Sequence, residues 1–403
     1  MRKAVLAGAL AVLAVAGRLI AGGGDNAHER FAFERIVIDD DFPGGYQVEV
    51  ADVNGDGKPD LVALGGDVCA WYENPSWRKR VVTTAKEAPG VISSATVDLD
   101  GDGKAEIALA HDFEMNNPKR GKLSLAVQGP SVDDPWMLLP IDDVGSIHRV
   151  RWGDFDGDGK LDLIAAPIFG PEAAPPTYDD PARMVVYTDI DAHEPSRWSR
   201  RPLTARPVTH AIEFHSTFAQ VKHPVLLAAD NQGVTLIGPI TAEDQPDRPL
   251  AAFDLVPGAV GDQPKRGASE IHVGRFQDGR LFLATVEPWH GTDVVVWPQK
   301  EVDSLDFDPR TLIDDSLDDG HALWVADLDG DGQDEVIAGH RGKDHRVAVY
   351  DYVMDDGGAW RRTIIDREVA AQDLRGGDLD GDGKPDFVAI GGSTHNLILY
   401  RSK

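Results

Sequence analysis

The chain contains a single cysteine, Cys69, so no internal disulfide can staple its 403 residues. It also lacks any cluster of Lys and Arg: 40 basic residues stand against 68 acidic ones, and the formal charge of -28 excludes a phosphate-gripping face for nucleic acid. No apolar run reaches the roughly 20 residues that a transmembrane helix needs, since the longest, over residues 4–17, stops short. Nor does any stretch between apolar segments keep a 3.6-residue period over ten or more positions, which removes an α/β architecture. What is present is an abundance of turn formers, 42 Gly and 26 Pro, together with enough hydrophobic residues, 42%, for a large core.

The short apolar run follows Met1-Arg2-Lys3 and ends near Ala14-Val15-Ala16, the layout of a secretory signal. The expected organisation is a signal peptide over residues 1–21, a linker over 22–30 and a mature domain over 31–403, secreted or periplasmic.

Internal repetition is plain in the mature part. Asp52-Val53-Asn54-Gly55-Asp56-Gly57-Lys58-Pro59-Asp60 recurs over residues 98–106, 154–162, 327–335 and 378–386, each copy followed by a short apolar strand such as Leu61-Val62-Ala63. The first aspartates lie 46, 56, 173 and 51 residues apart, so the long gap holds about three ordinary periods and two degenerate repeats. Phe214-His215-Ser216 and Gly274-Arg275-Phe276, each ahead of an apolar strand, fill those places. A second marker, Trp or Phe beside basic and β-branched residues, gives outer strands at Phe33, Trp77, Trp136, Trp198, Phe253, Phe307 and Trp360, again seven. Only two strands follow the last acidic loop, while the strand at Phe33 has no blade of its own. The expected fold is therefore all-β, a seven-bladed β-propeller closed by the N-terminal strand, which removes the free sheet edges.

Within the acidic loops, oxygen ligands alternate at positions 1, 3, 5 and 9 around a glycine at position 6. They are Asp52, Asn54, Asp56 and Asp60; Asp98, Asp100, Asp102 and Glu106; Asp154, Asp156, Asp158 and Asp162; Asp327, Asp329, Asp331 and Glu335; and Asp378, Asp380, Asp382 and Asp386. Hard oxygens at this spacing, with a glycine permitting the sharp turn, are what Ca2+ requires. An EF-hand is excluded, because position 12 of the first loop is Ala63 and strands flank it. About five structural calcium ions are expected, and their ten charges would bring -28 to about -18. These loops resemble the FG-GAP/VCBS repeats of the integrin α-subunit propeller and of many bacterial exported proteins. The resemblance spans nearly the whole mature chain and implies the fold and calcium, but not one activity.

In such a blade the acidic loop joins the innermost strand to the second, so function belongs on the opposite face. The residue six before each loop is Tyr46, Ile92, His148, His210, Ser269, His321 and Gln372 around the ring. Three histidines in one register point into one central funnel. The ends of the second strands add His111, Glu287, His290, His340 and Arg341, and longer insertions over 111–122, 168–183 and 257–268 fall on the same face. His148, His210, His321, His290 and Arg341 are the candidate catalytic groups; Tyr46, His111, Glu287, His340 and Gln372 are candidate substrate contacts. Neutral imidazoles can exchange a proton or hold Zn2+ with an open position.

The segment from Gly145 to Gly159, with His148 and Arg149, and Val208-Thr209-His210-Ala211 look like the propeller of the aldos-2-ulose dehydratase family. That resemblance implies elimination of water from keto-sugars, with zinc among the metals used. The expected function is an exported carbohydrate lyase or dehydratase that eliminates a β-oxygen substituent from a keto-sugar or uronic-acid-type sugar. The expectation from another class is a non-catalytic, calcium-stabilised propeller that binds a glycan or protein partner on the same face.

Overall fold

Each repeat becomes a small antiparallel sheet because short β-branched and apolar runs alternate with turns rich in Gly, Asp and Pro. The computed structural model describes residues 17–21 (backbone only), 30–215, 218, 224–238, 252–354 and 358–403. Blade one consists of Gly45–Ala51, Asp60–Gly65, Val68–Glu73 and Arg78–Thr84, paired in that order. Five more four-stranded sheets repeat this meander.

The seventh blade comes from both ends of the chain. Ala371–Gly377, Asp386–Gly391 and Leu397–Ser402 pair in turn, and Ala32–Asp39 supplies the next strand with Phe33 opposite Ser402. Gly17–Ala21 adds a further strand outside it. The structure is thus the seven-bladed propeller that the repeat count predicts, with the N-terminal strand in the closing position. Residues 1–16 and 22–29, which hold most of the expected signal peptide and linker, lie outside the described residues.

The innermost strands are Gly45–Ala51, Ser93–Val97, Ile147–Gly153, Ala211–His215, Glu270–Arg275, Gly320–Ala326 and Ala371–Gly377. Each touches the next, and the last returns to the first. The second strands are buried along their whole length, as in Leu61 to Leu64 and Phe387 to Ile390, because neighbouring blades cover both of their faces. Their continuous apolar runs reflect that double burial.

An innermost strand has no sheet partner on its channel side, so its free amides need acceptors from elsewhere. Side chains from adjoining blades provide them. The Val48 N–H donates to Asp373 Oδ2 (3.2 Å), the Thr96 N–H to Glu49 Oε2 (3.0 Å) and the Ser94 N–H to Gln47 Oε1 (3.2 Å). The channel is accordingly lined with charged and polar groups. Midway along it Arg375 faces Glu213 (3.8 Å), Asp373 (3.6 Å) and His272 (3.0 Å), while Arg151 lies 3.6 Å from Glu213.

Candidate functional site

The site is built at the start of the innermost strands. In blades one, three, six and seven the strand pairing skips one residue there, a β-bulge, and the skipped residues are Tyr46, His148, His321 and Gln372. A bulge places two successive side chains where a regular strand would alternate them. Hence His148 and its neighbour Arg149 both meet the funnel, with the Arg149 guanidinium 5.3 Å from the Tyr46 ring centre. In blade four, His210 immediately precedes the strand and its N–H donates to the Ala229 carbonyl (3.0 Å).

Three histidines form a floor, and one pattern orients them. His148 Nδ1 donates to the His210 carbonyl (3.0 Å), His210 Nδ1 to the Ser269 carbonyl (3.0 Å) and His321 Nδ1 to the Gln372 carbonyl (2.6 Å). Each imidazole therefore hands its Nδ1 hydrogen to the equivalent residue of the next blade. Since a carbonyl only accepts, Nε2 carries the lone pair in all three rings. The rings are buried and close-set: His210 lies 4.8 Å from His148 and 5.0 Å from His321, centre to centre.

The fourth histidine arrives from a turn. His290 sits between the second and third strands of blade five, with its ring 4.8 Å from His210 and 5.0 Å from His321. The turn requires Gly291, because a Cβ there would lie 2.2 Å from the Glu287 carbonyl oxygen. Arg341 donates to His290 Nδ1 (3.0 Å), which leaves the hydrogen on Nε2 to donate to His210 Nε2 (3.0 Å). Arg341 also holds Gln372 Oε1 (2.8 Å) and Asp319 Oδ2 (2.8 Å). The Tyr46 hydroxyl donates to His148 Nε2 (2.8 Å). His321 Nε2 is buried without a hydrogen-bond partner.

Burial pushes His148, His210, His290 and His321 well below the ordinary histidine range, and neighbouring guanidinium groups push the same way: Arg149 for His148 and His210, Arg341 for His290 and His321. The shift favours the uncharged imidazole in all four rings, the form whose lone pair can bind a metal or take a proton during a reaction. One ring nitrogen each from His210, His290 and His321 lies within 4.8 Å of the others. This triad has His290 in place of the His148 to which the register pointed, and His148 Nε2 instead accepts from the Tyr46 hydroxyl and from Arg149 (3.2 Å).

Three expected substrate contacts lie elsewhere. His111 Nε2 is bonded to Ser124 Oγ (3.0 Å) within blade two. Glu287 accepts from Thr285 (2.8 Å) and Trp297 (2.9 Å) and faces Arg310 (3.1 Å). His340 is held between the Asp318 carbonyl (3.1 Å) and Arg346 (3.2 Å). The reason is geometric: only the innermost strands line the channel, so side chains ending a second strand pack inside or between blades. The long insertions do gather beside the funnel, where Phe113, Phe169 and Tyr178 pack with Trp289, and the Trp289 ring lies 5.0 Å from His290.

On the opposite face the acidic loops share one geometry. In the first, the Gly57 N–H donates to Asp52 Oδ2 (2.9 Å) and the Val53 N–H orients Asp60 Oδ2 (3.1 Å). Gly57, Gly103, Gly159, Gly332 and Gly383 all have φ between 82° and 86°, a left-handed conformation natural to glycine. Asp98, Asp100 and Glu106 bring carboxylate oxygens within 4.8 Å of one another, as do the matching residues of three later loops. In the sixth blade the guanidinium of Arg30 reaches into the loop, meeting Asp329, Asp331 and Asp351.

The geometry defines a seven-bladed β-propeller with a histidine-lined funnel, and residues 52–109 and 327–389 match the FG-GAP-like repeat, so the chain carries repeats of that kind. Among particular proteins it is similar to aldos-2-ulose dehydratase of Phanerodontia chrysosporium, at 25% identity over 260 residues. That match covers 59% of this chain and only 28% of the relative. A chain of a mitotic checkpoint complex superposes with a TM-score of 0.52 at 11% identity, covering 100% of this chain and 99% of the other, a likeness of fold alone. A rhamnogalacturonan lyase of Bacillus licheniformis gives a TM-score of 0.47 at 12% identity, with 92% and 72% covered. No helix among the described residues is long and apolar enough to cross a membrane.

Proposed function

We propose that this chain is an exported carbohydrate lyase or dehydratase that eliminates a β-oxygen substituent from a keto-sugar or uronic-acid-type sugar. The observation that carries this reading is the convergence of four neutral histidines with Tyr46 and Arg341 at one mouth of the channel. The similarity to aldos-2-ulose dehydratase supports it.

Elimination needs a base beside the carbonyl or carboxylate, a proton donor for the departing oxygen and a positive group for the enolate. His148 Nε2 takes the proton as the C–H bond breaks. Its Nδ1–H goes on donating to the His210 carbonyl, which stabilises the imidazolium. The Tyr46 hydroxyl, released from His148, gives its proton to the leaving oxygen as the C–O bond breaks and the double bond forms, and recovers one from His148 afterwards. Arg341 at the rim faces the developing negative charge.

His210, His290 and His321 fit a zinc-like ion, because they offer three clustered imidazoles and His321 Nε2 lacks any other partner. Such an ion would supply Lewis-acid polarisation of the substrate carbonyl. For His290 this means moving its hydrogen from Nε2 to Nδ1, and Arg341 must then release Nδ1 so that Asp319 Oδ1, 3.5 Å away, can accept from it. Calcium in the acidic loops is supported by their crowded, partly buried carboxylates.

The test is to incubate purified protein with keto-sugars and uronic-acid oligosaccharides and follow the absorbance of a conjugated enone or unsaturated uronate. Signal is expected from the wild type and lost in His148→Ala. No signal across the panel overturns the lyase reading. In that event, sugar binding without turnover would favour a glycan-binding propeller, for which the aromatic wall around Trp289 is the supporting feature.

A further inference from the structure

Glu270 stands one residue after Ser269 at the head of the blade-five innermost strand, and no motif marks it. Its Oε1 lies 2.9 Å from His210 Nδ1, to one side of the hydrogen bond that Nδ1 directs at the Ser269 carbonyl. That oxygen is buried and has no hydrogen-bond donor of its own. Arg149, 4.0 Å away, is the nearest cation recorded for it. A buried carboxylate oxygen without a donor is costly unless a positive charge develops beside it.

The equivalent position elsewhere sharpens the point. His321 likewise donates Nδ1 to the carbonyl of Gln372, and the next residue is Asp373. Asp373, however, spends its carboxylate on the backbone N–H groups of Val48 (3.2 Å) and Leu374 (2.9 Å). His148 donates to the carbonyl of His210, which is followed by Ala211. Among the three floor histidines, His210 alone has a carboxylate at its Nδ1.

We infer that Glu270 is the positioning carboxylate of His210, an outer partner that makes this histidine the strongest ligand of the His210, His290 and His321 set for a divalent ion of the zinc type. The inference rests on the reading of that triad as a metal site. With a cation on Nε2, the Nδ1 hydrogen becomes more acidic and the stranded Glu270 oxygen gains its partner. Outer carboxylates of this kind change metal affinity by about 10 to 100-fold.

The experiment measures Zn2+ affinity by competition with a chromogenic chelator, in saturating calcium so that the acidic loops are filled. Glu270→Gln, which keeps the shape and removes the charge, is expected to weaken zinc by about 10 to 100-fold, and Glu270→Asp by less. Far-UV circular dichroism and the thermal midpoint check that each variant is folded. Equal zinc affinity in folded Glu270→Gln and wild type overturns the role of Glu270 while leaving the metal site standing. Zinc binding that is absent in the wild type, or indifferent to His210→Ala and His321→Ala, overturns the metal site and this inference together.

Discussion

Tyr46 joins two functions in one side chain, since its hydroxyl bonds His148 and its ring lies against Arg149. Tyr46→Phe keeps the packing and removes the proton donor, so turnover on an accepted sugar should fall by about 10²–10⁴-fold, with little change in the thermal midpoint. A rate within threefold of wild type would remove Tyr46 from the proposed mechanism. Deeper in the channel, Arg375 neutralises Glu213 and Asp373. Arg375→Met leaves Glu213 with Arg151 alone and Asp373 with its backbone donors but no ion pair among the described residues, and should cost up to about 3–5 kcal/mol in urea unfolding. The aligned histidines and Tyr46 were legible in the sequence because repeats put equivalent residues in equivalent places. Arg149 was not, because strand alternation turns it away from the funnel and a bulge is invisible to period-two patterning, and Glu270 was not, because the repeat register singles out Ser269 and no motif marks the residue after it. Nor could repeat spacing tell that Glu287 and His340 would find partners inside their own blades.

At the scale of the element, the acidic loops pin one blade to the next as well as turning the chain. The Ala105 N–H in the second loop donates to the Val53 carbonyl in the first (3.1 Å), and Asn74 in blade one donates to the Leu379 carbonyl in the acidic loop of blade seven (2.6 Å). Without an ion, burial and then nearby acids raise the ninth ligand: Asp60 and Asp162 to about 6, Glu106 to about 7 and Glu335 to about 9. A folded value above the unfolded one means that the native state holds more protons at these sites, so their ion-free contribution to stability is greatest at low pH and declines as pH rises from about 4 toward 9. Calcium bound as proposed would favour the ionised carboxylates and reverse that decline. Thermal midpoints in EGTA should therefore fall from pH 5 to pH 8, while those in millimolar calcium should not, and the gap should widen with pH. A gap that stays constant would exclude these carboxyls as the cause. Five loops were readable from spacing, but the sequence offered no reason why blades four and five lack one, and most of the blade-four turn, residues 216–217 and 219–223, lies outside the described residues. For blade five the structure shows what stands in its place: the Phe276 N–H donates to the Arg280 carbonyl (2.8 Å) and the Arg275 N–H to Asp334 Oδ2 of the neighbouring loop (2.7 Å), so hydrogen bonds close the turn and join the blades.

For the whole molecule, closure depends on one strand taken from the far end of the chain. Ala32–Asp39 covers the edge that Leu397–Ser402 would otherwise expose, and Phe33 packs edge-on against Phe387 with ring centres 5.1 Å apart. Arg35 then reaches out of this blade to Asp366 on the outer strand of blade six (2.7 Å), where the same oxygen accepts from Tyr400 (2.6 Å). A ring of seven sheets gains its last interface only when this strand is in place, so its removal should weaken blades six and seven together rather than one sheet alone. Phe33→Ala should cost about 3–5 kcal/mol by loss of a buried aromatic. A chain beginning at residue 41 should unfold at a lower temperature and associate through the bared edge, as unpaired edges do. A synthetic peptide covering residues 30–40 should restore the thermal midpoint and the monomer, whereas the same peptide with Phe33→Ala and Arg35→Ala should not. If the shortened chain melts at the full-length temperature and stays monomeric, the ring is held by its inner strands and acidic loops, and the N-terminal strand is an ornament on a structure that closes without it.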